Sequence, residues 1–277
     1  MRSTERSTAK DRLDGESRTG ESKAVVRFDS GLPPARGLYD PSLEKDSCGV
    51  GFIADIKGRQ SHKIVEDGLH ILENLEHRGA VGADPRAGDG AGILVQLPHK
   101  FFSKEAKRLG FALPELGQYA AGFLFMPREA AERDFIEKIY AEEIEREGMT
   151  LLGWRDVPKD NSTLGWSVKP TEPFHMQVFI GRGGKTKTED EFERRLYVLR
   201  KTISGRIYQA RDRAIIGYYP VSLSCRTIVY KGMFLADQLG AYYPDLRDGI
   251  SKARSPSCIS AFPPTHFPPG RSPIPTG

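Results

Sequence analysis

The chain has 277 residues, a formal net charge of +4 and 38% hydrophobic residues, enough for one large domain or two small ones around a core. The mild, dispersed basic balance does not imply a nucleic-acid partner, and no apolar run reaches the roughly 18 residues that a membrane span needs. Three scattered cysteines, Cys48, Cys225 and Cys258, exclude a disulfide framework or a cysteine zinc site and favour a reducing, cytoplasmic setting.

Residues 1–36 are rich in Ser, Arg, Glu and Lys and too poor in apolar groups to order themselves. They lack the apolar core of a secretory signal, and their six acidic residues argue against a transit peptide, so they read as a flexible leader. The globular pattern starts at Cys48. Residues 48–56 (CGVGFIADI) read as a buried strand and 61–77 as a helix, with Ser61 to cap it and Ile64, Gly68, Leu72 and Leu75 as its stripe. Gly79 ends that helix and opens a glycine-rich loop, GAVGADPRAGDGAG, over 79–92. Strands follow at 93–97 and 119–126, the second stopped by Pro127, then an amphipathic helix over 129–147. Further strands are expected near 150–156 and 174–180, a helix over 189–209, one strand over 221–230 and a short helix over 233–242. The layers are therefore mixed α and β. Residues 249–277 differ from all that precedes them, with seven prolines, no Asp or Glu, and no regular hydrophobic period.

Cys48 and Arg78 stand thirty residues apart. The strand carries the chain roughly 26 Å away from Cys48, and the helix brings it back roughly 24 Å. If the two run antiparallel, the His77-Arg78-Gly79 turn returns beside Cys48, so that a thiol and a guanidinium share one pocket. Arg offers a planar fork suited to a carboxylate, and the loop glycines let the backbone approach a ligand closely. Taken singly, each residue has a plainer reading: a strand cysteine as a small buried hydrophobe, Arg78 as a surface charge favoured by a helix C-terminus, and His77 and Cys225 as structural residues. The glycine-rich loop lacks the G-x-x-x-x-G-K-[ST] pattern of a phosphate cradle and precedes a strand, not a helix.

C-G-V-G-F, then H-R-G-A-V thirty residues on, then G-D-G-A-G, resembles the N-terminal glutaminase domain of glutamate synthase large subunits, which is a class II glutamine amidotransferase. The resemblance runs from about Gly37 to Asp248 and includes DPSLEKDSCG, SVKPTEPFHMQVFIGR and SCRTIVYKGMFLADQLGAYYPDLRD. Other class II amidotransferases carry a shorter H-R-G-x-D-S-A-G loop, which separates them from this chain. The resemblance implies an α+β fold, the αββα sandwich of N-terminal-nucleophile (Ntn) hydrolases, incomplete at its C-terminal side. It implies cleavage of Ser47–Cys48, which leaves 1–47 as a propeptide, 48–248 as a partial amidotransferase domain and 249–277 as an aberrant tail. Cys48 becomes the nucleophile that hydrolyses L-glutamine. Arg78 binds the substrate with Gly79, and Asp89 and Gly90 shape the pocket. The FMN and iron–sulfur cluster of the whole enzyme, and the small subunit with its FAD, find no site in this stretch. Neither the R-F-S-T-N-T segment nor the His-Asn-Gly-Glu oxyanion motif of the family occurs here.

The tail carries a trace of the missing segment. Synonymous codons for ISAFPPTHFPPG, read from the last base of the Cys258 codon, spell HQRFSTNTFPSW, and RSPIPTG shifts likewise into LAHPYR. The expectation is a frameshift near Asp248 or Gly249, a sheet that loses its later strands with its edges left unpaired, and a tail with no fixed place. The rival functional readings are another class II amidotransferase and an inactive remnant.

Overall fold

A computed structural model describes residues 36–37, 49–57, 61, 63–75, 83–210, 217–233 and 235–247, together with the backbone of 248–249 and 258–262. The chain divides into two compact units, Met1–Asp46 and Ser47–Gly277, and the elements below all belong to the second.

The unit combines α-helices with two four-stranded sheets in which every described strand pair is antiparallel, an α+β arrangement. Strand β1 is Gly51–Ala54 and helix α1 is Lys63–Asn74. Ser61 Oγ accepts from the Lys63 amide at 3.3 Å, as the sequence suggested for this helix start. β2 is Ala91–Gln96, α2 His99–Arg108, β3 Tyr119–Met126 and α3 Ala130–Arg146. β4 is Thr150–Asp156, β5 Phe174–Gly181 and α4 Glu189–Gln209. β6 is Tyr219–Ser224, β7 Thr227–Gly232, α5 Gln238–Tyr242 and β8 Cys258–Phe262, with a π-helical turn over Asp245–Gly249. The sheet orders are β1-β8-β2-β7 and β4-β5-β3-β6.

β3 explains the packing. All eight of its residues are buried, as an apolar run in a central strand should be. Tyr119, Ala121, Phe123 and Phe125 point into one core, shared with Ile93 and Val95 of β2, Ile228 and Tyr230 of β7, and the inner side of α1. Ala120, Leu124 and Met126 point into a second core, built with α3 through Ile136 and Tyr140 and with α4 through Leu196, Leu199 and Ile203. α4 starts in a capping box: Thr188 Oγ1 accepts from the Glu191 amide at 3.2 Å, and Glu191 accepts from the Thr188 amide at 3.3 Å.

Four expectations are corrected. Residues 99–108 form α2, a helix missing from the expected elements. The single strand expected over 221–230 is two, because Ser224 Oγ accepts from the amides of Arg226 and Thr227 and turns the chain at Cys225–Arg226. The helix expected over 233–242 is confined to Gln238–Tyr242. Within the tail, for which no fixed place was expected, Cys258–Phe262 is a strand hydrogen-bonded to β1 on one side and β2 on the other.

Candidate active site

Of the residues singled out for chemistry, Cys48, His77, Arg78 and Gly79 lie outside the described residues, and Asp89 and Gly90 lie within them. The flanks of the first group are described, and they touch. A Cβ at Gly49 would stand 3.0 Å from Leu75 Cδ2, and one at Gly51 would run into Ile71 Cγ2. The residue after Cys48 therefore lies against the residue three positions before Arg78. α1 doubles back along β1, and small residues on β1 let the helix come close.

The second half of the glycine-rich loop is held by two side chains. Asp84, only 4% exposed, accepts from the Ser167 amide at 2.8 Å, from Ser167 Oγ at 2.7 Å and from the Arg86 amide at 3.1 Å. These hydrogen bonds, that of the Ser167 amide foremost, hold its carboxyl below the usual aspartate range. Gln238 Nε2 donates to the carbonyls of Arg86 at 3.2 Å and Thr163 at 2.7 Å, while its Oε1 accepts from the Leu235 amide at 2.9 Å. Gly165 donates to the Arg86 carbonyl at 3.3 Å, and a Cβ on it would collide with the Asp84 carboxylate. Beyond these ties Asp89 is exposed and Gly90 is buried with φ of +134°, a conformation that L side chains rarely adopt. Gly92 then enters β2, where a Cβ would press within 2.8 Å of Lys231 Cβ on β7.

Cys225 is a different kind of cysteine. It is buried in the β6–β7 turn, and its amide donates to Glu193 Oε1 at 2.6 Å. Burial, aided by the Glu193 carboxylate, pushes its thiol up to about 12, so it is not a thiolate nucleophile near neutral pH. Among the described residues no three His, Cys, Asp or Glu side chains stand close enough to share a metal ion, and no helix is long and apolar enough to cross a membrane.

Sequence reasoning missed Asp84, Ser167 and Gln238. The Asp-Pro-Arg triplet did carry a signal, since Asp followed two positions later by an amide donor is an Asx turn. The partner 83 positions away in sequence had none.

Compared with known proteins, residues 48–259 match the family of class-II glutamine amidotransferases, a match that opens on Cys48 and closes inside β8. The chain belongs to that family. The chain is 44% identical over 220 residues to the glutamate synthase [NADPH] large chain of Bacillus subtilis, covering 78% of this chain and 14% of that one. It is 43% identical over 222 residues to the glutamate synthase [NADH] of Schizosaccharomyces pombe, covering 78% of this chain and 10% of that one. It is 39% identical over 230 residues to the ferredoxin-dependent glutamate synthase 2 of Arabidopsis thaliana chloroplasts, covering 83% of this chain and 14% of that one. The amidotransferase thus spans at most about a seventh of the length of these relatives.

Proposed function

We propose that this chain is the glutamine-hydrolysing part of a glutamate synthase, releasing ammonia from L-glutamine with Cys48 as nucleophile. The observation that carries the proposal is the family match opening on Cys48, joined to the doubling-back of α1 that sets Gly49 against Leu75. Two antiparallel sheets, with β3 buried on both faces and α3 and α4 behind it, support reading the unit as the αββα sandwich of Ntn hydrolases. The relatives are glutamate synthases using three different electron donors, and none points to another amidotransferase class.

The chemistry requires cleavage at Ser47–Cys48. A thiol of pKa about 8.5 is only a few per cent thiolate at neutral pH. A free α-amine on the same residue, pKa about 7.7–8.0, accepts its proton directly or through water, and a peptide nitrogen cannot. The thiolate attacks the glutamine amide carbon, the α-ammonium returns its proton to the leaving nitrogen as the C–N bond breaks, ammonia leaves, and water hydrolyses the glutamyl thioester to glutamate and free thiol. Arg78 grips the α-carboxylate, and Gly79, Asp89 and Gly90 shape the pocket wall. In the whole enzyme the ammonia passes on to chemistry supplied by FMN and an iron–sulfur cluster, with electrons delivered through the small subunit. We assign none of their ligands to this chain.

The test is glutamine hydrolysis by chain cut at Ser47–Cys48. The expected result is turnover that Cys48→Ser and the uncut form lack. Turnover persisting in Cys48→Ser would overturn the proposal.

A further inference from the structure

We infer that Asp84 is a positioning residue for glutamine, acting with Ser167 and Gln238 to hold the loop that ends in Asp89 and Gly90. The inference rests on the glutaminase reading above and names what keeps that reading's pocket wall in place.

The loop is poorly suited to holding itself. Five of its fourteen residues are glycine, each with more backbone freedom to lose than any other residue type. Its last residues enter β2, and the stretch from Asp84 onward takes its order from outside. Two side chains supply it upstream of Asp89, beside the Gly165 amide on the Arg86 carbonyl. Asp84 fastens the loop to Gly165–Ser167, and Gln238 fastens the Arg86 carbonyl to Thr163 and the start of α5. Three segments far apart in sequence meet there, around a carboxylate that is 4% exposed.

The residue types suit the task. Three donors converge on Asp84, and an ionised carboxylate is an acceptor-only group with room for all three. Charge-assisted bonds of this kind are roughly twice as strong as neutral ones. Asparagine cannot replace it, because one of its two heads would turn an N–H toward a donor. Gln238 uses both ends, donating twice and accepting once, which a carboxylate cannot do. Gly165 is required because a side chain there would occupy the space of the Asp84 carboxylate. Neither Asp84 nor Gln238 bonds to Asp89 or Gly90, so the latch acts on the pocket by holding the loop still. Without it, glutamine must order the loop as it binds, and apparent affinity falls by the fraction of time the loop spends out of place.

The test uses the full chain cut at Ser47–Cys48 and follows alkylation of Cys48 by iodoacetamide, with glutamine as protectant. In Ser167→Ala the glutamine concentration giving half-protection rises at least fivefold, and in Asp84→Asn at least tenfold. The alkylation rate without glutamine stays within twofold of the parent, because thiol chemistry is untouched. Ser167→Thr, which keeps the hydroxyl and the amide, stays within twofold of the parent in half-protection. Ser167 is itself exposed, so its alanine variant folds and keeps the test available even if Asp84→Asn does not. Half-protection unchanged in Ser167→Ala, or equally raised in Ser167→Ala and Ser167→Thr, overturns the latch alone. No glutamine protection in the parent overturns the glutaminase reading and the latch with it.

Discussion

Arg155 and Asp245 meet head-on in the buried interior: Arg155 Nη1 reaches Asp245 Oδ2 at 2.7 Å and Nη2 reaches Oδ1 at 2.8 Å. Arg155 comes from β4 and Asp245 from the turn that follows α5, so the pair ties the second sheet to the end of the continuous described chain. The same guanidinium donates to Gln177 at 2.9 Å and Glu105 at 3.2 Å. Gln177 in turn donates to Tyr230 Oη at 2.9 Å on the first sheet, and Tyr230 donates back to Asp245 at 3.1 Å. The network is closed, which is the condition under which buried polar groups rigidify a core instead of weakening it. Removing Asp245 takes the bidentate partner from a buried guanidinium and leaves it the 3.2 Å contact to Glu105, a loss of about 3 kcal/mol. Asp245→Ala is therefore expected to lower the unfolding free energy by about that amount in urea titration, and Tyr230→Phe by about 1–3 kcal/mol. A change below about 1 kcal/mol in Asp245→Ala would remove the network from the account of stability.

His175 gives the fold a pH dependence above the range where carboxylates titrate. It is buried, stacked on Phe125 with ring centroids 4.9 Å apart. Burial, reinforced by Lys159 and opposed by Glu172, pulls its pKa down to about 3. In the unfolded chain the same group binds a proton below about 6.5. The unfolded state thus holds more protons between those values, and stability falls as pH drops, by about 1.4 kcal/mol per unit once well below 6.5. Stability measured by denaturant titration between about pH 6.5 and 4.5 should slope downward toward acid, and His175→Phe should flatten that slope by about one proton. Equal slopes in the two proteins would show that His175 is not buried neutral.

Gly183 is the least replaceable glycine among those described. Its φ is +60°, and a Cβ there would collide with the Gly148 carbonyl, part of the backbone. Gly183→Ala combines backbone strain with a contact that no side-chain rotation relieves, and should cost more than about 1 kcal/mol in thermal or denaturant unfolding. Gly184, beside it, has no atom within 4 Å of a built Cβ, so Gly184→Ala is the matched control and should stay within about 0.5 kcal/mol.

β8 predicts that the tail matters to the first sheet. Ser260 pairs with Phe52 on one side and Leu94 on the other. Proline cannot donate to a ladder, so Ser260→Pro in a strand flanked on both sides should destabilise the unit by about 3 kcal/mol or more. Slow hydrogen exchange across 258–262 in the parent is the companion observation, and free exchange there would remove β8 from the sheet.

The core helices and the central strand were legible because their signals are local. The apolar stripe of α1 and the uninterrupted run of β3 closed by Pro127 each lie within one element. α2 escaped because it is only ten residues long, follows Pro98 with no side-chain cap, and buries only Phe101, Phe102 and Ala106 among charged neighbours. The break at Cys225 escaped because Glu193, on α4, holds both the Ser224 hydroxyl and the Cys225 amide. β8 escaped because it carries no period of its own and is defined by its two neighbours. At the proposed site, Cys48, Arg78, Gly79, Asp89 and Gly90 rest on the sequence motif, whereas Asp84 carried no such sign, since it finds its partner across 83 positions of chain.

The central claim is that Cys48, once it bears a free amine, is a nucleophile addressed by glutamine. Peptide-level mass spectrometry of cut chain treated with a diazoketone analogue of glutamine tests it directly. Cys225, with its thiol pushed up to about 12, serves as the internal unreactive standard. The account predicts a single adduct on Cys48, slowed by excess glutamine and absent from uncut chain. An adduct that forms equally in uncut chain, ignores glutamine or falls on Cys225 would contradict it.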